Sequence, residues 1–209
     1  MTGQEMLDNL GLRLEDPAQS VFTQDAKLDA LNLSQKTVCS MIDNGYLTEL
    51  ENSIAGTTGA DGKITFASVS IDPIRGDIVG VYSTTNSKWC TMIETKDLKR
   101  LENSYLSGSA ANPIAYVFNE TIYIQPVAAT IIDIWYLQEP TDLAASGVEC
   151  MLNPALQEMV LDFAEAQLWR MDAKGDRAQL AYNNALNTIK VLNERYQIEK
   201  PEGIGTKGR

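Results

Sequence analysis

The stretch 153–196 constrains the fold most, because it carries two successive helical patterns with one interruption between them. Asn153 is a favoured N-cap, and Pro154 suits the first helical position, where the missing N–H would be unpaired anyway. In the interruption, we expect Gly175 to take the left-handed conformation that ends a helix and Asp176 to cap the next helix. Two helices joined by about four residues fold back on each other as a helical hairpin.

Apolar residues recur at spacings of three and four along both helices, which places them on one face of each helix. We expect these faces to form protein core. The face of the first helix comprises Leu156, Val160, Phe163, Gln167 and Met171. The stripe of the second helix comprises Ala178, Ala181, Tyr182, Ala185, Ile189, Leu192 and Tyr196.

The chain of 209 residues is long enough for one domain, or for one domain that carries an insertion. It is 44% hydrophobic and 22% charged, which is typical of soluble globular proteins. No apolar run approaches the roughly 20 residues that span a bilayer, and the first residues lack the basic and apolar regions of a signal peptide. We therefore expect a protein that is made and used in the cytoplasm.

The chain has no histidine, which removes Ser-His and Cys-His nucleophile pairs and the commonest metal ligand. Cys39, Cys90 and Cys150 lie far apart without a CxxC spacing, so we interpret them as reduced thiols that pack as small apolar residues. The net charge of −11 gives no general attraction to nucleic acid or to an anionic membrane. These features predict no catalytic residues, no cofactor, no metal site, no membrane partner and no sequence-specific DNA site.

Two helices are predicted in the N-terminal part of the chain. Thr2 and Glu5 fit a capping box for a short helix that ends near Gly11. Thr23 is expected to cap a longer helix over about 24–43. The predicted inner face of this helix comprises Leu28, Leu31, Val38 and Ile42.

Asp25 and Asp29 lie at i and i+4 of the longer helix and share a face. Two such carboxylates could bind a cation, but they more often form a solvated surface near the positive end of a helix, and we interpret them so. Residues 46–54 are expected to form another short helical turn. The glycine-rich loop 56–62 lacks the spacing and the Lys-Ser/Thr of a P-loop, so we interpret it as a flexible loop before a strand.

From Ile64 onward the hydrophobic period changes to two, which indicates strands. The two residues Asn119-Glu120 fit a tight hairpin connection. A short helix is expected over 97–106. The short connections predict an antiparallel sheet over about 64–137. Strands are predicted over 64–71, 78–82, 89–93, 114–118, 121–125 and 131–137.

The order of helices, sheet and helices predicts an α+β fold, in which a helical bundle is built from the N- and C-terminal helices and an antiparallel β-sheet region is inserted between them. After Tyr196 the chain is rich in glycine and has one large apolar residue, so we expect a flexible, extended arm. The predicted parts are N-terminal helices over 1–55, the inserted antiparallel β region over 56–143 with a short helix near 97–106, the C-terminal helical hairpin over 144–197 and the C-terminal arm over 198–209.

Several weak motifs follow one another in a recognisable order. The first motif is Phe22-Thr23-Gln24-Asp25, which opens a helix that contains Leu31-Asn32. The second is the stretch 115–126, which forms a strand, a tight turn and a strand that ends in Gln-Pro. The third is the stretch 132–143, with the sequence IDIWYLQEPTDL. The hairpin adds Asn153-Pro154-Ala155-Leu156, Ala164-Glu165-Ala166, Gly175-Asp176 and Ala181-Tyr182. In this order, over roughly residues 20–196, the motifs resemble those of the head-to-tail adaptor (connector) proteins of tailed double-stranded-DNA bacteriophages. Residues 56–100 have no matching motif.

The resemblance implies a structural virion protein of the neck that forms a twelve-subunit ring under the portal vertex, extends the DNA channel and provides the platform for tail attachment. The implied partners are the portal protein, a tail or nozzle protein and further copies of the chain, while genomic DNA passes through the channel without sequence-specific binding.

The resemblance also gives each part of the chain a place in the neck. The sheet region would face the tail, and the arm would dock on the portal. The arm residues singled out are Ile198, Lys200, Pro201, Gly203, Ile204, Gly205, Lys207 and Arg209. The residues that would form hairpin core or pack between subunits are Leu156, Val160, Phe163, Tyr182, Ala185, Ile189, Leu192 and Tyr196.

Two other functions compete with this hypothesis. Another neck or tail-completion protein of the virion would have a similar layout, and its binding partner would distinguish it. A carboxylate-based hydrolase, such as a glycosidase, would need two carboxylates about 5–10 Å apart, and the 28 acidic residues supply candidate pairs without a motif that selects one. We favour the structural role and expect no enzyme, since the sequence shows no catalytic constellation. The acidic excess is also compatible with a channel through which DNA slides.

Overall fold

The computed structural model describes residues 1–102, 107–145 and 147–199, and the chain forms two compact units. The helical unit contains Met1–Glu49 and the chain from Pro140 onward, and the β unit spans Leu50–Glu139. The α-helices in the described residues are α1 (Gly3–Arg13), α2 (Gln24–Met41), α3 (Pro154–Met171) and α4 (Gly175–Glu199). The strands there are β1 (Glu51–Thr57), β2 (Lys63–Thr65), β3 (Pro73–Ser83), β4 (Lys88–Trp89), β5 (Thr91–Met92), β6 (Ile114–Phe118), β7 (Thr121–Gln125) and β8 (Ile131–Gln138). The mixture of helices and largely antiparallel sheet agrees with the predicted fold class.

The predicted starts of α1, α2 and α3 are confirmed by their capping hydrogen bonds. The N–H of Glu5 donates to Oγ1 of Thr2 at 3.2 Å and the Glu5 carboxylate accepts from the N–H of Thr2 at 2.8 Å, which completes the capping box of α1. The Thr23 hydroxyl accepts from the third residue of α2, and the Asn153 side chain accepts from the third residue of α3. The C-terminal ends were less accurate, since α1 extends to Arg13 and α2 stops at Met41.

In the helical unit, α3 packs against α2 and α4, and α1 contacts α2 and α3. The segment before α3 is joined to this unit by backbone and side-chain hydrogen bonds. The Asn32 side chain on α2 donates to the carbonyl of Leu143 at 3.2 Å and accepts from its N–H at 2.7 Å. Thr2 forms an antiparallel bridge with Glu149.

The connection between α3 and α4 differs from the prediction in its left-handed residue. Ala173, with φ of +56°, takes that conformation instead of Gly175. The carbonyl of Lys174 accepts the first helical hydrogen bond of α4, from Ala178. Gly175 and Asp176 therefore lie in the first turn of α4, and the expectation that they end one helix and cap the next was wrong.

The β unit contains two four-stranded sheets, with strand orders β1-β8-β3-β4 and β2-β7-β6-β5. One face of each sheet carries the apolar side chains that form a shared core, which explains the period of two in the sequence. Val81, Ile132 and Ile134 are fully buried in this core, as are Ala115 and Ile122. The remaining members include Ile64, Phe66, Ile71, Cys90, Ile124 and Tyr136.

Several predicted elements of the β unit need correction. A helical turn was expected over 46–54, and this region contains the 3₁₀ turns Asn44–Tyr46 and Thr48–Leu50. Residues 51–54 instead belong to β1, because the chain pairs there with β8. A strand was expected over 64–71, but β2 ends at Thr65 and the chain then forms the 3₁₀ helix Phe66–Val69. The strand expected over 89–93 is divided at Cys90 into β4 and β5, which belong to different sheets.

The later elements were predicted better. β6 and β7 have the expected bounds, and the residues between them, Asn119 and Glu120, have φ of +48° and +54°, as a tight hairpin turn with two left-handed residues requires. The short helix is the 3₁₀ helix Thr95–Glu102, and the expected continuation over 103–106 lies outside the described residues. The single antiparallel sheet was wrong, because β8 pairs with β1 and β3 in the other sheet and β5 runs parallel to β6.

Candidate interaction surfaces

The helical hairpin brings most of its predicted residues into the core of the helical unit. Leu156, Val160 and Ala185 are fully buried, and Phe163 and Ile189 are nearly so. The rings of Phe163 and Tyr182 meet edge to face, with centroids 5.5 Å apart and an interplanar angle of 70°. Met171 was predicted on the same face as Phe163 but is 66% exposed.

The C-terminal part of α4 contacts the chain that follows α2. The Tyr46 hydroxyl donates to the carbonyl of Leu192 at 3.0 Å, and the rings of Tyr46 and Tyr196 lie 5.6 Å apart. The side chain of Asn193 accepts from the N–H of Asp43 at 2.8 Å. Leu192 and Tyr196, both half-buried, therefore serve packing within the helical unit.

Of the predicted arm over 198–209, only residues 198 and 199 belong to the part of the chain that the structure describes. Ile198 lies within the backbone of α4, which extends through Glu199, so the arm cannot begin at residue 198. The other arm residues singled out from the sequence lie outside the described residues: Lys200, Pro201, Gly203, Ile204, Gly205, Lys207 and Arg209.

A cluster of carboxylates on α3 surrounds the guanidinium of Arg13. Arg13 forms ion pairs with Glu158 and, at 2.5 Å, with Asp162, and Glu165 lies 3.7 Å away. Burial raises the pKa of Asp162, while the hydrogen bond and the charge of Arg13 act in the opposite direction. The ion pairs of Arg13 join α1 to α3, which gives this carboxylate cluster a structural role.

A second polar network lies in the loop between α1 and α2. The carboxylate of Asp16 accepts hydrogen bonds from the N–H groups of Ser20, Val21 and Phe22 and from the Ser20 hydroxyl, at 2.7–3.2 Å. These bonds, with the one from Phe22 as the largest contribution, hold the pKa of Asp16 well below its usual range. The buried ammonium of Lys27 donates to the carbonyl of Asp16 at 2.6 Å. The sequence prediction missed this network, because a carboxylate and a lysine eleven residues apart form no recognisable motif.

Trp169 is a buried aromatic residue that carries cations on its ring. The ammonium of Lys174 lies 4.5 Å from the ring centroid and the guanidinium of Arg177 lies 4.9 Å from it. Phe22 packs edge to face on the same indole, at 6.5 Å. These contacts fix the start of α4 against the end of α3.

The outer face of α4 is free of charge over three turns. Between Arg177 and Lys190 the sequence of α4 has no charged residue, although the protein as a whole is strongly acidic. Leu180 is 66% exposed on this face. The other exposed residues of this uncharged face are Gln179, Asn183, Asn184, Asn187 and Thr188.

No group of three or more His, Cys, Asp or Glu side chains in the described ranges could hold a metal ion. Asp25 and Asp29 are exposed on α2, as a solvated face requires. Cys39, Cys90 and Cys150 are buried and form no disulfide, which agrees with the interpretation as small apolar residues. None of the helices in the part of the chain that the structure describes has the length and hydropathy needed to cross a bilayer.

On the β unit, aromatic side chains lie on the outer faces of both sheets. Tyr116 and Tyr123 stack in parallel on neighbouring strands of the second sheet, with centroids 4.7 Å apart, and the ammonium of Lys63 lies 5.6 Å from the Tyr123 ring. Trp89 and Trp135 are exposed on the first sheet. The alternation of side chains along each strand shows that these aromatic residues share one face of their sheet. It does not show which face is covered when both faces carry apolar residues.

The chain matches the model of a known protein family. The model of the family described as SU10 adaptor protein matches residues 1–202, which include all of the described elements. No curated protein sequence matches the chain.

Proposed function

Since the chain belongs to the SU10 adaptor protein family, we propose that it is a head-to-tail adaptor that forms a ring under the portal vertex. The family is one of structural phage adaptors, which is not an enzyme class, so the protein is a component of the virion. The match over residues 1–202 is the observation that carries this proposal. It agrees at the family level with the resemblance found in the order of weak motifs.

In this proposal the ring has twelve copies of the chain, extends the DNA channel and provides the platform for the tail. The net charge of −11 supports a channel role, because anionic walls repel phosphates and let DNA slide. Genomic DNA would pass without sequence-specific contacts. Tight binding of duplex DNA at physiological salt in a filter-binding assay would contradict this part of the proposal.

The helical hairpin is proposed to pack between neighbouring subunits near the portal. The uncharged face of α4 supports this, because the centres of protein interfaces are depleted of charged residues. A charge introduced by Leu180→Asp should prevent the ring from forming on portal, seen by negative-stain electron microscopy. The melting temperature should stay unchanged because Leu180 is exposed, and a ring formed by this variant would place the interface elsewhere.

The residues after Glu199 are proposed to form the arm that docks on the portal. Residues 200–209 carry three basic side chains and one acidic side chain, so this segment is basic while the chain as a whole is acidic. Ile204 lies between Gly203 and Gly205, where backbone can approach another chain closely. Twelve weak contacts around one ring would act together and give tight attachment.

The test removes residues 200–209 and measures co-sedimentation with purified portal protein. The truncated protein should keep its circular dichroism and melting temperature but lose portal binding. A matched control replaces only Lys200, Lys207 and Arg209 with serine, which separates the charge from the rest of the arm. If the truncated protein binds portal at wild-type affinity, the attachment comes from the helices.

A cryo-EM map of the assembly with portal tests the whole proposal. A ring of this chain against the portal is the expected result. A position further along the tail would favour the other neck or tail-completion proteins, which the sequence left as an alternative.

A further inference from the structure

The outer face of the sheet β1-β8-β3-β4 carries an exposed cluster of three aromatic side chains, Tyr82, Trp89 and Trp135, which we call the aromatic patch. Tyr82 and Trp89 meet edge to face at 5.4 Å between centroids, and Trp89 and Trp135 lie 6.2 Å apart at 49°. Trp89 is 59% exposed and Trp135 is 38% exposed. Two exposed tryptophans in contact mark a surface for binding, because tryptophan contributes more binding energy at interfaces than most residues.

The patch is organised before any partner arrives. Trp89 lies over Gly80, where an added Cβ would come within 3.1 Å of the indole Cζ3 atom. On the other side, β1 places the small residue Ser53 opposite Trp135. Such rigid, pre-positioned rings lose little conformational freedom on binding.

A carboxylate lies within the same surface. Asp133 is two residues before Trp135 on β8 and opposite Tyr82 on β3, so all three side chains share one face of the sheet. Its Oδ2 atom accepts from the Thr84 hydroxyl at 3.3 Å. Its other oxygen accepts no hydrogen bond from a residue that the structure describes. The patch therefore offers aromatic faces and one carboxylate oxygen together.

Elsewhere in the described chain, cations lie over the rings of Trp169 and Tyr182. Lys174 and Arg177 lie over Trp169, and Arg170 lies 4.9 Å from the centroid of Tyr182. No cation of the described residues lies over Trp89 or Trp135. A cation brought by a partner would complete the patch in the same way.

We propose that the aromatic patch binds an arginine side chain that is presented by the tail-side virion protein. A guanidinium can stack on an indole face and at the same time donate to a carboxylate, which an ammonium does with less directional fit. Trp89 and Trp135 supply the faces and Asp133 supplies the acceptor. The tail-side position of the β unit rests on the proposed function, whereas the arginine chemistry rests on the patch alone.

The chemistry is tested with Nα-acetyl-arginine methylamide as the probe and the citrulline analogue, its neutral isostere, as the control. The chain has three tryptophans, so the ¹⁵N-labelled protein gives three indole signals in an NMR titration. The signals of Trp89 and Trp135 should shift saturably with the arginine probe, while that of the buried Trp169 should not. Equal shifts with the citrulline probe, or no saturable shift, would overturn the proposal.

Variants then locate the site. Trp135→Ala should weaken the arginine probe about fivefold, and Asp133→Asn should weaken it by about threefold and remove its salt dependence. Phe118→Ala is the matched control, since Phe118 is 50% exposed on the other sheet and should leave probe binding unchanged. Gly80→Ala should displace Trp89 and weaken binding without removing a patch side chain. Circular dichroism checks that each variant is folded, and unchanged binding by Trp135→Ala would contradict the assignment.

A final experiment separates this inference from the proposed function. The double variant Trp89→Ala/Trp135→Ala should still co-sediment with portal but should yield particles that fail to retain tails. If the unmodified protein does not co-sediment with portal, the adaptor proposal itself is contradicted. Normal tail attachment by the double variant, with portal binding intact, would contradict only the role of the patch.

Discussion

The ammonium nitrogen of Lys27 lies 3.2 Å from Oδ2 of Asp16, and both side chains are only 2% exposed. A buried ion pair is stable only when its remaining polar atoms are satisfied. Here the Asp16 carboxylate also accepts from three backbone N–H groups and one hydroxyl, and Lys27 also donates to a carbonyl. The pair thereby fixes the loop between α1 and α2.

The first prediction concerns how the free energy of unfolding depends on acidic pH. Because the pKa of Asp16 is lowered in the folded protein, its carboxylate stabilises the fold above the unfolded pKa of about 4, and this contribution is lost as the pH falls below that value. Asp16→Asn should therefore be less stable than wild type at pH 7, and the difference should shrink below about pH 4. Urea unfolding from pH 7 to pH 2.5 measures it, with the exposed Asp25→Asn as control. A difference that is constant with pH would show that the charge of Asp16 is unimportant.

The second prediction concerns the hairpin core. Phe163 is 6% exposed and packs against Tyr182, so Phe163→Ala should lower the free energy of unfolding by about 3–5 kcal/mol. Met171→Ala should change it by less than about 0.5 kcal/mol, because that side chain is 66% exposed. Chemical denaturation of both variants gives the comparison. Equal costs would place Met171 in a buried position.

The third prediction concerns the turn between α3 and α4. A left-handed backbone conformation costs a non-glycine residue about 1–2 kcal/mol, and glycine avoids this cost. Glycine also raises the conformational entropy of the unfolded chain, which offsets part of the gain. Ala173→Gly should therefore stabilise the protein by about 0.5 kcal/mol. Gly175→Ala should also stabilise it, by about 0.4–1 kcal/mol, since Gly175 has no left-handed φ and an added Cβ meets nothing within 4 Å. Destabilisation by Gly175→Ala would restore the role that the sequence suggested for this glycine.

The fourth prediction concerns the thiols. Burial raises the pKa of Cys90 to about 11 and also raises the pKa of Cys150. The reactive thiolate is therefore scarce at neutral pH, and the three buried cysteines should react with Ellman's reagent only after unfolding. A cysteine placed on the exposed face of α4 by Asn187→Cys is the control and should react at once. Rapid reaction of the wild-type protein would show that a thiol is accessible.

Local signals in the sequence determined where α1, α2, α3 and the later strands begin. The caps at Thr2, Thr23 and Asn153 act within three residues, so their chemistry can be read without knowing the rest of the fold. The same holds for the turn at Asn119-Glu120. The order of such local motifs also sufficed to indicate the phage adaptor family.

Only the tertiary structure decided which elements pair and which faces are covered. β1 was missed because its partner, β8, lies about 80 residues further along the chain, and a short polar strand has no local pattern of its own. Lys27 is buried while the neighbouring Leu28 is only half-buried, because the fold brings Asp16 into an ion pair with the lysine. Trp89 and Trp135 are exposed because no described element of the β unit covers that face of their sheet. Backbone caps and turns depend on adjacent residues, whereas burial and strand pairing depend on residues that the chain brings together only when it folds.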